Sequence, residues 1–208
     1  MSSSCRVLAS AVVLLLQAGV QSDAAQETDP PPECWVRGER ADLELRASPF
    51  DSAAVALDDG VVKVCYSRPR QLGRPIMGRL VPYGRPWRLG ADEATAIHVP
   101  VRASIAGVTV DPGWYTLYAV PGEREWRIVV NGQTRRWGVP IDDEVRSADV
   151  GSGLVPVSTT PPQVELLTFW FDRTGRSSAD LVVRWAGTSV RIPVQLAPGE
   201  DRGGGGDR

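Results

Sequence analysis

The sequence predicts an all-β, mainly antiparallel fold: a β-sandwich of about eight to ten strands, with one long loop rich in Arg, Gly and Pro and at most one short helix. A closed β-barrel is the alternative. Three observations predict this class. Segments with the alternating pattern of strands recur along the chain, Gly, Pro and Asp residues separate them, and helical periodicity is nearly absent.

The strand pattern occupies most of the chain after residue 52. The predicted strands are residues 53–57, 61–67, 95–102, 114–120, 126–130, 150–157, 164–172, 181–185 and 189–194. Turn signals separate several of them: Asp58-Asp59-Gly60, Asp111-Pro112-Gly113 and Pro121-Gly122. Residues 166–171 are apolar on both faces except at Thr168, which predicts a central strand covered on both sides.

The second predicted strand has two distinct faces. Val62, Val64 and Tyr66 lie on one face, and Cys65 lies on the other. We therefore expect Cys65 to point outward, toward the N-terminal segment that covers the sheet.

One short helix is predicted at residues 141–148. Asp142, Asp143 and Glu144 would lie at its N-terminus, where negative charge is favourable. Residues 34–46 have mixed charge and could form a further helical turn held by a disulfide.

The chain ends lie outside the predicted β-sandwich domain, residues 48–196. Residues 1–25 have the pattern of a cleavable signal peptide: Arg6, an apolar run over residues 7–20 and small residues at 22–25. The apolar run is shorter than a membrane span, although a retained anchor is the alternative. Residues 26–47 form a linker and N-terminal segment, and residues 197–208 form a disordered Gly-rich tail. We therefore expect an extracytoplasmic protein, periplasmic or secreted, with no stable transmembrane segment after cleavage.

Two cysteines remain after the predicted cleavage. Cys34 and Cys65 in an exported chain are most simply a disulfide, and two separate buried thiols are the alternative. Cys5 precedes the apolar run, so it cannot be the lipid-bearing cysteine of a lipoprotein. Two distant cysteines and one histidine are a weak ligand set, so no metal and no cofactor are expected.

The charge pattern excludes nucleic acid as an expected partner. The formal net charge is −2, and no nucleic-acid-binding motif occurs. The expected partner is a small molecule, a glycan or a protein.

Residues 68–94 lack strand alternation and are crowded with Gly, Pro, Arg and aromatic residues. Several motifs follow one another through and beyond this segment: Tyr66-Ser67-Arg68-Pro69, Gly73-Arg74-Pro75-Ile76-Met77-Gly78, Leu80-Val81-Pro82-Tyr83-Gly84, Trp87-Arg88-Leu89-Gly90-Ala91-Asp92-Glu93-Ala94-Thr95, Gly113-Trp114-Tyr115-Thr116-Leu117-Tyr118, Pro121-Gly122-Glu123, Trp126 and Trp137-Gly138. Over about residues 48–194 the chain closely resembles the bacterial family called domain of unknown function 2911. The family usually has Asn where this chain has Asp92. The resemblance implies an exported domain with no established activity, and it carries over no catalytic residues.

The candidate binding site lies in residues 68–95, since long ordered loops on a rigid scaffold often carry function. Guanidinium groups converging there would bind a carboxylate or phosphate, and an aromatic face beside them would suit a sugar or small aromatic ligand. The candidate binding residues are Arg68, Arg74, Tyr83, Trp87, Arg88, Asp92 and Glu93. The structural alternative is that Arg74 or Arg88 pairs with Asp92 or Glu93 and pins the loop, and that Trp87 is a packing residue.

Catalysis would depend on three residues. Glu93 and Asp92 could act as an acid and a base in glycoside cleavage, and His98 could act as a general base toward Ser67 or water. His98 lies on the strand face opposite Ile97 and Val99, so it is expected outside the main core.

No complete catalytic set is visible in the sequence. The leading hypothesis is therefore a non-catalytic, exported module that binds a ligand or partner through residues 68–95. The alternative is a hydrolase, with carbohydrate as one candidate substrate, that uses Glu93, Asp92 or His98.

Overall fold

The computed structural model describes residues 31–197. The predicted signal peptide, Cys5 and nearly all of the predicted tail lie outside this range. The strands are β1 Phe50–Leu57, β2 Gly60–Ser67, β3 Ala91–Val99, β4 Ala103–Ile105, β5 Val108–Val110, β6 Gly113–Pro121, β7 Glu125–Asn131, β8 Asp149–Arg173 and β9 Ser178–Leu196. Two short helices accompany them, a 3-10 helix at Arg40–Leu45 and α1 at Asp143–Arg146. The all-β prediction is confirmed.

The strands form one antiparallel sheet in the order β1-β2-β3-β6-β7-β8-β9-β4-β5. The N-terminal part of β8 pairs with β7, and its C-terminal part pairs with β9. Strand β8 therefore passes from one half of the sheet to the other. The sheet folds over at this strand, and the two halves pack face to face as the layers of a sandwich.

The sheet does not close into a barrel. Its two outermost strands are β1 and β5, and among the described residues no backbone pairing joins them. Strand β5 instead lies on the N-terminal part of β8, where Gly151 and Gly153 leave room for it. A Cβ atom at Gly153 would clash with the backbone carbonyl of Ala106. A glycine is therefore required where the β4–β5 hairpin meets β8.

The core lies between the two halves of the sheet. The face of β2 that was predicted to be apolar is buried, and Tyr66 stacks on Phe169 of β8 with 4.2 Å between ring centroids. The Tyr66 hydroxyl also accepts a hydrogen bond from the backbone N–H of Phe169, at 2.9 Å. This contact ties β2 to β8 across the sandwich.

Four predicted strands are halves of two longer ones. Residues 150–157 and 164–172 both belong to β8, and residues 181–185 and 189–194 both belong to β9. Shifts of register between Thr159 and Thr168 interrupt the β8–β9 pairing. Turn-forming residues in this stretch, including Pro161-Pro162 and Gly187, therefore mark an irregular part of a hairpin and not the ends of strands.

The N-terminal segment, residues 31–47 of the described chain, lies on the outer face of the first half of the sheet. Its disulfide joins Cys34 to Cys65 on β2, with 5.9 Å between the two Cα atoms. The outward orientation of Cys65 and the helical turn before residue 46 are confirmed. No helix within residues 31–197 is long and apolar enough to cross a membrane.

Candidate functional site

The β2–β3 loop, residues 68–90, is the longest connection between strands in the described chain. It is held to the sheet by backbone hydrogen bonds. Trp87 and Ala119 exchange two of them, at 2.7 and 2.9 Å, and the Gln71 N–H donates to the Glu165 carbonyl at 2.8 Å. The loop therefore has a defined path over the end of the sandwich.

Part of the predicted segment is strand and not loop. Strand β3 begins at Ala91, whereas the sequence places its start at residue 95. Asp92 and Glu93 thus belong to β3, in a stretch that bulges from β2 between the Ser67 and Cys65 pairing positions. Because the bulge interrupts the alternation of side chains between the two faces, the start of this strand cannot be recognised from the sequence.

A cleft of about 490 Å³ opens between the β2–β3 loop and the sheet. Its lining combines apolar side chains with two guanidinium groups. The lining residues are Ser48, Pro69, Arg74, Leu80, Val81, Pro86, Trp87, Arg88, Gly90, Ala91, Val139 and Trp185. None of these is acidic.

Trp87 forms an aromatic wall of the cleft, and Trp185, which is only 2% exposed, lies buried against it. Their rings stack with 6.0 Å between centroids and 16° between planes. Trp126 packs edge-on against Trp87, at 5.6 Å and 89°. Trp87 therefore serves packing, as the structural alternative expected, and also lines the cleft.

Arg88 is fixed at its base and free at its tip. Its Nε donates to the Gly90 carbonyl at 3.2 Å. Its aliphatic stem lies against Gly138, where an added Cβ would stand 3.1 Å from the Arg88 Cβ and 2.9 Å from the Asp92 carbonyl oxygen. The two terminal nitrogens have no hydrogen-bond partner within residues 31–197. The guanidinium tip is thus available to a ligand.

Arg74 is held more completely by the loop itself. Its Nε donates to the Gln71 carbonyl at 2.9 Å, and one terminal nitrogen donates to the Arg70 carbonyl at 2.7 Å. Neither Arg74 nor Arg88 forms an ion pair with a carboxylate of the described chain. The structural alternative, in which these arginines pair with Asp92 or Glu93, thus has no ion pair behind it within residues 31–197, although Arg88 lies near enough to Asp92 for its charge to oppose the raised pKa of that carboxyl.

Glu93 pairs instead with the N-terminal segment. It is only 4% exposed, and its carboxylate accepts hydrogen bonds from Arg46 at 2.6 Å and from the backbone N–H of Arg37 at 2.8 Å. The guanidinium groups of Arg37 and Arg46 lie 5.7 and 5.9 Å from the ring centroid of Trp137. Sequence reasoning missed these partners because no periodic pattern links residues 37 and 46 to β3.

Asp92 has a left-handed backbone, with φ of 55°. Asn and Asp adopt this conformation more readily than most other residues, which accounts for a short polar side chain at this position. Burial raises the pKa of the Asp92 carboxyl above its usual value, and the nearby charge of Arg46 opposes that shift.

His98 lies away from the cleft, on the outer face of β3 as the sequence predicts. It is opposite Lys63 of β2 and Trp114 of β6, whereas Ser67 is opposite Ala91 at the other end of β3. Its Nδ1 atom is buried without a hydrogen-bond partner among the described residues. Burial lowers the pKa of the His98 imidazole.

Arg68 and Tyr83 do not line the cleft. Arg68 holds the base of the loop, with bonds to Asp51 at 3.1 Å, to the Leu167 carbonyl at 3.1 Å and to the Thr168 hydroxyl at 3.0 Å. Tyr83 is 41% exposed, and its ring covers Gly78.

The structure thus divides the predicted site. Arg74, Trp87 and Arg88 meet at the cleft, Glu93 binds the N-terminal segment, and His98 lies on another face. The cleft also contains Trp185 and Val139, which sequence reasoning missed because they reach the loop from distant parts of the chain.

Comparison with known families matches residues 48–194 to the family described as Protein of unknown function (DUF2911). No curated protein and no solved structure matches the chain.

Proposed function

The chain belongs to the family Protein of unknown function (DUF2911), and from its geometry we propose that it is a non-catalytic binding module whose ligand occupies the cleft beneath the β2–β3 loop. The observation that carries the proposal is the tip of Arg88, which has no hydrogen-bond partner within residues 31–197, beside the partly exposed ring of Trp87. A concave, mainly apolar site with a few polar groups is typical of small-molecule binding.

The hydrolase alternative has less support. Both oxygens of Glu93 accept hydrogen bonds from the N-terminal segment, His98 is on the outer face of β3, and Asp92 does not line the cleft. Acid and base groups must flank one substrate, and these three do not share a cavity.

A thermal-shift screen of the full chain against sugars, carboxylates, phosphates and neutral aromatic compounds tests the proposal. A ligand that binds the native state raises the melting temperature. Leu80→Trp would fill the mouth of the cleft, because Leu80 lines it and is 45% exposed. Leu154→Trp is the matched control, on an exposed leucine of β8 outside the cleft.

We expect at least one class to raise the melting temperature of the wild type and of Leu154→Trp but not of Leu80→Trp. A shift that Leu80→Trp retains, or no shift with any class, would contradict the proposal.

We further propose that the protein is exported, with cleavage after the apolar run of residues 7–20. The disulfide between Cys34 and Cys65 supports this, since disulfides persist in oxidising compartments. Mass spectrometry of the mature N-terminus tests it, and an intact Met1 would refute it.

A further inference from the structure

We infer that the ligand of the cleft is a small amphiphilic anion: a single carboxylate or phosphate group on a flat apolar body. This inference rests on the proposed function and specifies its ligand class. Arg88 would hold the oxyanion, and Trp87, backed by the buried ring of Trp185, would face the apolar body.

The charge of the lining favours an anion. Arg74 and Arg88 are the charged residues that line the cleft, and no carboxylate of residues 31–197 lines it. A guanidinium group without a protein partner can donate two parallel hydrogen bonds to a carboxylate or phosphate. Arg74 already uses Nε and one terminal nitrogen in hydrogen bonds to backbone carbonyls, whereas Arg88 uses Nε alone and keeps both terminal nitrogens for a ligand.

Arg88 is also held in place before any ligand arrives. Its Nε bond to the Gly90 carbonyl and the contact of its stem with Gly138 restrict the side chain. Binding therefore costs less side-chain entropy than it would for a freely rotating arginine.

The remainder of the lining favours an apolar body over a sugar. Ser48 is the one lining residue with a hydroxyl group, and amide and acidic side chains are absent from the lining. A sugar would leave most of its hydroxyl groups without partners in such a site, which is costly. Leucine, valine, proline and tryptophan side chains instead offer apolar contact.

Titration calorimetry of the full chain with matched probes tests the inference. The probes are 2-naphthoate and 2-naphthyl phosphate as amphiphilic anions, 2-naphthamide as the neutral analogue, and acetate and inorganic phosphate as anions without a body. The variants are Arg88→Gln, which removes the charge, and Arg127→Gln, a matched control on an exposed arginine of β7 outside the cleft.

We expect the wild type and Arg127→Gln to bind 2-naphthoate or 2-naphthyl phosphate about tenfold or more tightly than 2-naphthamide, and Arg88→Gln to lose that preference. The probe that binds more tightly shows whether the cleft prefers a carboxylate or a phosphate.

Equal binding of 2-naphthoate and 2-naphthamide, abolished by Leu80→Trp, would overturn the inference while the proposed function stands. Binding of acetate or phosphate as tight as that of the naphthyl probes would also overturn it. Binding of a sugar alone would overturn the ligand class, and no binding of any probe together with no shift in the thermal screen would overturn both proposals.

Discussion

His98 is the single histidine of the chain, and its imidazole is half-buried on the outer face of β3, where Nδ1 has no hydrogen-bond partner among residues 31–197. Burial disfavours the charged form, so the pKa of His98 is lower in the folded protein than its usual 6.5. The position on the face opposite Ile97 and Val99 was predictable, since strand alternation fixes it. The distance of His98 from the cleft was not predictable, because strand alternation does not show which loops cover each face of the sheet.

The lowered pKa makes stability depend on pH. As pH falls through 6.5, the unfolded chain takes up a proton that folded His98 resists. The unfolding free energy should therefore be highest above this pH and decrease as pH falls toward the folded-state pKa. We expect the unfolding free energy of His98→Asn to decrease less than that of the wild type between pH 7.5 and 5.5, as measured by urea unfolding. An unchanged slope in the variant would contradict the assignment.

Asp92 should have the opposite pH dependence, because burial raises its pKa above 3.8 in the folded protein. The folded state then binds more protons than the unfolded state above that pH, and stability is lost as pH rises through the folded-state pKa. Asp92→Asn should therefore raise the unfolding free energy at pH 7, by an amount that shrinks toward pH 4. Urea unfolding at both pH values measures it.

Asp111→Asn is the matched control, since Asp111 is an exposed turn residue. A loss of stability at pH 7 in Asp92→Asn would mean that the carboxylate makes a favourable contact that the amide cannot replace.

At the scale of the elements, the N-terminal segment is anchored to the sheet by several different contacts, although it lies outside the matched family region of residues 48–194. The disulfide to Cys65, the ion pair from Arg46 to Glu93 and the contacts with Trp137 all anchor it. The disulfide could be predicted from cysteine count and strand alternation. The ion pair could not, since any of the many arginines was an equally good partner for Glu93.

Arg46→Met tests the strength of this anchoring. It would leave Glu93, whose side chain is 5% exposed, as an unpaired buried carboxylate. Breaking a buried pair in this way costs roughly 3–5 kcal/mol. Arg102→Met removes a solvent-exposed pair with Asp111 and should change stability by less than about 1 kcal/mol. Chemical denaturation of the two variants compares them, and equal effects would contradict the role of Arg46.

The disulfide acts on the same segment. Replacing Cys34 and Cys65 together by Ser should lower the unfolding free energy by about 3–4 kcal/mol, since the bond closes a long loop in the unfolded chain. With the segment no longer tethered, Arg46→Met should cost less than it does in the oxidised protein. A double-mutant cycle measures this coupling, and strictly additive effects would show that the two anchors act independently.

At the scale of the whole molecule, turn signals and alternation were sufficient for the all-β class but not for the topology. The three-residue strands β4 and β5 are too short to show alternation. Strand β4 pairs with the end of β9, and the β4–β5 hairpin packs on β8. The fusion of predicted strands into β8 and β9 was equally hidden, since prolines and glycines mark a bulge as readily as a turn. The cleft follows from this topology, because it needs Trp185 of β9 beside a loop that precedes β3.

The place of β9 in the sheet has a consequence for synthesis on the ribosome. Strand β4 is made near the middle of the chain, yet the residues that pair with it, 194–196, are the last of the domain to be made. Strand β8 also lacks its neighbour along residues 157–173 until β9 emerges. A nascent chain therefore cannot complete this part of its core until residues 194–196 have been made, so we expect the final packing of the domain to follow the synthesis of β9.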